Sequence, residues 1–264
     1  MRRREVLSVL TVLSNGTPGI LSGTTTKKKK ATFVLVHGAW HGGWCWKKIS
    51  GLLGAEGHQV YTPTLTGLGE RSHLLSQEID LEMHIQDIVS MLEYEDLTDV
   101  TLVGHSYGGM VITGVADKER KRLSHIVYVD AFLPEMEKSL QDYVSISFEQ
   151  IAKSKGSEWQ VPLLGGSLEG FGITKQDDID WMTSRIGPQP LKTFTQRLHL
   201  STAPDPSLKK TYIQLTDNRP HFNDSLRRAK RQGFQMYSLL SGGHDAMVTQ
   251  PAALANIFNA IVSN

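Results

Sequence analysis

Ser106 sits in the run Gly104-His105-Ser106-Tyr107-Gly108-Gly109, which contains a Gly-x-Ser-x-Gly pattern. The bare pattern is weak, so its flanks matter. An apolar stretch, residues 100–103, precedes it, and a small-residue helical stretch follows. A strand that reverses into a helix at one residue holds that residue in a strained conformation with its hydroxyl exposed. Side chains at positions 104 and 108 would clash in such a turn, so glycine is expected there. The helix start then aims free N–H groups at a centre where negative charge develops. This is the chemistry of a serine nucleophile.

A serine hydroxyl needs a base, and ten histidines compete for the role. His244, in Ser241-Gly-Gly-His-Asp-Ala-Met, follows the last expected strand and precedes the closing helix. That placement returns its side chain over the sheet. His105 neighbours the nucleophile and points the wrong way for a base, while His58, His84 and His125 lie in or beside regular elements. The orienting acid has two candidates. Asp217 directly follows one expected strand and is favoured; Asp130 follows the strand before it and offers a second geometry. Asp245 adjoins His244, and adjacent side chains diverge.

The run His37-Gly38-Ala39-Trp40-His41-Gly42-Gly43-Trp44 ends the first expected strand. A His-Gly exit lets the Ala39 N–H approach a substrate oxygen and pair with the Tyr107 N–H in a two-donor oxyanion hole. His37 and His41 lack a third ligand or metal spacing, so local hydrogen bonding is expected of them and no metal. Trp40, His105 and Met247 are expected to contact substrate, although Met247 can equally pack beneath its own loop.

These groups require a scaffold. Buried strands are expected at 33–36, 60–62, 101–103, 125–129, 212–215 and 235–239, with helices at 44–53, 81–92, 109–116 and 252–262. Leu81, His84, Ile85, Ile88, Val89 and Leu92 form one amphipathic face. The alternation predicts a doubly wound α/β fold with a mostly parallel six-stranded sheet. It breaks between about 134 and 208, where scattered aromatics without a clear strand suggest an inserted lid.

Apolar residues make up 39% of the 264 residues and charged residues 21%, which excludes wholesale disorder. A balance of 28 basic and 27 acidic side chains leaves no footprint for nucleic acid. Cys45 is the single cysteine, so no internal disulfide or cysteine-built metal site can form. No apolar run reaches the ~20 residues that span a bilayer. Residues 1–31 stand apart from the domain at 32–264. Arg2, Arg3 and Arg4, an apolar stretch at 6–13 and Lys27 to Lys30 suggest either a tail on a cytoplasmic protein or a twin-arginine-like signal for export to the periplasm.

Taken together, HGAWHGGWCW, TPTLTGLGER at 62–71, GHSYGG and GGHDAMV resemble the α/β-hydrolases that include plant methyl esterases, hydroxynitrile lyases and bacterial ester hydrolases, the bacterial branch being nearer. The resemblance runs from about residue 32 to the C-terminus. It implies Ser106 as nucleophile, His244 as base, Ala39 and Tyr107 as oxyanion donors, and ester cleavage of a small molecule through an acyl-serine without a cofactor. Relatives often read Thr-x-Asp where this chain has Thr216-Asp217-Asn218, which keeps Asp130 open as the acid. Cyanohydrin cleavage is the alternative reaction, but the lyases carry Thr and Lys where Gly38 and Asp245 stand here. A non-catalytic receptor on the same fold is a third reading. Lactone or carbamate hydrolysis would use the same geometry, and oligomeric state leaves no mark in the sequence.

Overall fold

The computed structural model describes residues 30–202, 205–215 and 220–263. The tail expected at 1–31 falls almost wholly outside them, as does Asp217. The chain opens with β1 (Thr32–Val36), α1 (Lys47–Ala55), β2 (Gln59–Tyr61), α2 (Leu81–Tyr94), β3 (Val100–His105), α3 (Gly108–Lys118) and β4 (Leu123–Val129). There follow α4 (Phe148–Ser154), β5 (Gln160–Val161), α5 (Gln176–Thr183), β6 (Gln189–Pro190) and α6 (Lys192–Thr195). The remainder is β7 (Lys209–Gln214), α7 (Pro220–Arg231), β8 (Gln235–Ser238), α8 (Ala246–Thr249) and α9 (Pro251–Ser263).

Six strands form one sheet in the order β2-β1-β3-β4-β7-β8, and every neighbouring pair is parallel. The six-stranded α/β expectation therefore holds. Its continuous apolar runs have the cause anticipated: Phe33 to Val36 and all six residues of β3 are buried, as strands covered on both faces must be. Each such large side chain removed from water contributes roughly 1.5–3 kcal/mol. On α2 the six residues of the expected amphipathic face are the buried ones, and the Asp80 side chain caps the helix by accepting from the Met83 N–H at 2.9 Å.

Strand order also locates the site. From β1 the chain moves outward to β2, then crosses back so that β3 lies on the other side of β1 and β4, β7 and β8 continue that way. The reversal opens a crevice beyond the carboxyl ends of β1 and β3, where open α/β sheets bind ligands. Register aligns the exits: Val36 pairs with Gly104, and His105 pairs with Val129. Ser106 and Asp130 are thus each one step beyond a paired position.

The segment between β4 and β7 is richer than its sequence suggested. β5 and β6 form a small antiparallel pair of their own. α7 was likewise not anticipated, although Pro220 at its start and Gly233 just beyond its end are helix punctuation.

Candidate active site

Ser106 adopts φ +54°, the left-handed region that non-glycine residues rarely enter. Its N–H donates to the Val129 carbonyl at 3.2 Å, and its carbonyl accepts from the Gly109 and Phe132 N–H groups, both at 3.1 Å. The strain is thereby held by three hydrogen bonds. The glycines act as expected. A Cβ on Gly104 would stand 2.6 Å from the Gly108 carbonyl oxygen, and one on Gly108 would stand 2.9 Å from the carbonyl oxygens of Val36 and His37. Tyr107 occupies the N-cap of α3 and Ala39 the turn after β1. Neither N–H donates to another backbone group among the described residues. The Tyr107 hydroxyl is fixed at 2.9 Å from His84 Nδ1, whose ring donates from Nε2 to the Thr66 carbonyl at 3.0 Å.

His244 is buried, with Nδ1 donating to Asp130 Oδ2 at 2.8 Å. The other oxygen of Asp130 accepts from the Leu215 N–H at 3.2 Å. Asp130 has φ +43°, so nucleophile and carboxylate leave adjacent strands in the same strained conformation. The imidazole stacks on Phe222 at 5.1 Å, with Phe171 5.6 Å and His105 4.4 Å away. Asp217 cannot be placed against this arrangement, because it lies outside the described residues.

Behind the site His41 donates from Nδ1 to the Ala39 carbonyl at 2.7 Å and from Nε2 to Asp245 Oδ2 at 3.2 Å. Both partners are acceptors, so the ring must carry both protons. Burial opposes that charge, but the Asp245 carboxylate and the two hydrogen bonds outweigh it and hold the His41 pKa above its usual value. Asp245 is drawn down to about 2, burial again opposing and His41 prevailing. His37 is the contrary case. It donates from Nδ1 to the Gly38 carbonyl and accepts the Leu65 N–H at Nε2, and burial lowers its pKa to about 3. Both histidines therefore have hydrogen bonds at each nitrogen. A cluster of His105, His244 and Asp245 brings ligand-type atoms within 4.8 Å of one another. Two of its nitrogens are already committed, His244 Nδ1 to Asp130 and His105 Nε2 to the His244 carbonyl at 2.9 Å.

A cavity of about 690 Å³ opens onto Ser106, His244, Ala39, Trp40 and Tyr107. Phe132, Phe148, Phe171, Phe194 and Phe222 supply much of its wall. Of the expected substrate contacts only Trp40 lines it. His105, at the end of β3, faces the underside of the His244 loop, and Met247 is buried in the first turn of α8. Both corrections have one cause: sequence proximity to a catalytic residue does not set which side of the backbone a side chain occupies. Gln189 and Phe222 had no sequence signal as site residues, and the adjacency of Asp245 to His244 gave no sign of its bond to His41.

Residues 33–257 match the model of the alpha/beta hydrolase family, and the chain belongs to that family. It is 38% identical over 259 residues to the carbendazim hydrolyzing esterase of Nocardioides sp. (strain SG-4G), covering 88% of this chain and 99% of that protein. Methylesterase 2 of Arabidopsis thaliana is 35% identical over 157 residues, about half of each chain. A crystal structure of an Arabidopsis methylesterase superposes with a TM-score of 0.73 at 25% identity, covering 88% of this chain and 99% of that one. The expected class, a serine-type carboxylic ester hydrolase, agrees with these relatives, and cyanohydrin cleavage is not favoured by them. No helix among the described residues is long and apolar enough to cross a membrane.

Proposed function

We propose that the protein hydrolyses a small carboxylic ester with Ser106, His244 and Asp130 as its triad and the Ala39 and Tyr107 N–H groups as its oxyanion hole. The observation that carries this reading is that a strained Ser106 and an Asp130-bound His244 line the same cavity.

His244 Nε2 takes the Ser106 proton as Oγ adds to the ester carbonyl. The carbonyl oxygen becomes an alkoxide held by the two N–H donors. Collapse breaks the C–O bond to the alcohol, which leaves with the proton from His244. Water then gives a proton to Nε2 and attacks the acyl-serine, and the serine oxygen departs with that proton, releasing the acid. Asp130 keeps Nδ1 protonated throughout, so Nε2 is the basic nitrogen.

The aromatic wall fits an apolar or aryl group on one side of the ester. Lactones and carbamates are variants of the same acyl chemistry, and carbendazim, named for the Nocardioides relative, belongs in the assay panel. Ser106→Ala is expected to abolish hydrolysis of p-nitrophenyl acetate and labelling by an organophosphonate while the protein stays folded. Full turnover by that variant would refute the nucleophile. Cyanide release from a cyanohydrin by the parent would move the reaction to the lyase class.

A further inference from the structure

Every polar group of Trp40 is held by the small β5–β6 sheet and the residues leading into it. Its backbone N–H donates to Gln189 Oε1 at 3.0 Å, and its carbonyl accepts from the Gly187 N–H at 3.3 Å. Its indole N–H donates to the Val161 carbonyl at 3.0 Å. Val161 and Gln189 are themselves register partners across β5 and β6. Trp40 needs this grip, since it stands at φ +65°.

Gln189 is fully buried. An N–H can only donate, so the amide oxygen must face Trp40, which sends the amide nitrogen to Thr193 Oγ1 at 2.8 Å. Thr193 accepts it because its own proton goes to the Pro190 carbonyl at 2.6 Å. The orientation of Gln189 is therefore set by a chain of three bonds. At the other end of the same peptide, the Ala39 carbonyl accepts from His41. The Ala39–Trp40 peptide plane is fixed at both edges, once by His41 and once by Gln189, 149 residues away in the chain from Trp40.

We infer that Gln189 is a positioning residue: by holding the Trp40 N–H it fixes the turn that aims the Ala39 N–H at the oxyanion. The inference rests on the ester-hydrolase reading. It further implies that the β5–β6 end of the segment over the cavity stays docked during turnover, because lifting it would dismantle the hole.

The test compares Gln189→Met, which keeps volume but removes the acceptor, with Gln189→Glu, which keeps an acceptor facing Trp40. The Met variant is expected to lose about 10- to 100-fold in kcat with KM within twofold, the scale of a misdirected oxyanion donor. Its rate of phosphonate labelling at saturating probe should fall in parallel. The Glu variant should keep kcat within about fivefold of the parent while melting no higher than the Met variant, since it buries a carboxylate. Turnover and melting temperature then rank the two variants in opposite order, which a merely structural role would not do. A Met variant with parental kcat and labelling overturns the inference, as does a kcat that follows melting temperature in both. If Gln189→Glu does not fold, the kcat and KM of Gln189→Met decide alone. Failure of the parent to label at Ser106 would instead overturn the ester-hydrolase reading, and is thereby distinguishable.

Discussion

A carboxylate beside an imidazole does two things: it selects the tautomer and stabilises the cation that forms. Asp130 is placed for both, 2.8 Å from Nδ1 of His244. Asp130→Asn should therefore lower kcat by about 10³–10⁴ with little change in KM, the cost of presenting the wrong tautomer. Asp217→Asn is expected to leave kcat within about threefold. Steady-state kinetics of the two variants decide the matter, and a larger loss at Asp217 would transfer the acid role to it. The sequence offered both residues because each follows a strand. Register places Asp130 one step beyond a pair that also positions Ser106, whereas Asp217 lies outside the described residues. Register between strands is a long-range property, invisible in a single run of residues.

Among elements, the β3–α3 turn was the most legible, because its demands are local. A strand, a residue at positive φ and a helix must follow one another without side chains at 104 and 108, and only glycine satisfies that. Gly108→Ala should destabilise the protein by about 1–3 kcal/mol, since the added methyl meets two backbone carbonyls that cannot swing aside. Denaturant unfolding at constant m-value would measure it, and an unchanged midpoint would show that the turn has slack. The β5–β6 pair was the least legible element. Its two-residue strands carry no period, and their role depends on Trp40 reaching them from far along the chain.

At the scale of the whole molecule, buried neutral histidines make stability depend on pH. Burial lowers His37 to about 3 and His84 to about 4, and His105 lies well below its usual value. Unfolded, each takes up a proton below about 6.5. Between that pH and about 4 the unfolded chain binds more protons than the folded one, so stability rises with pH and is lost on acidification. His41 has the opposite sign: its contribution is complete below the unfolded pKa and is lost as pH rises through its raised folded value. Melting temperature is expected to fall steeply from pH 6.5 to 4, with a gentler decline on the alkaline side. A flat profile across the acid range would mean that these rings are not neutral in the folded protein.

The chain's own order of residues was enough for the strand–helix alternation, the amphipathic face of α2, the serine turn and the His-Gly exit of β1. Each of these is enforced over a few neighbouring residues by backbone sterics or by a period of two or 3.6. Which carboxylate meets His244, which side His105 and Met247 face, and how Gln189 comes to grip the oxyanion turn were decided only by the folded molecule. Those depend on contacts between segments 80 to 150 residues apart, whose partners are chosen by sheet register and packing rather than by any local pattern.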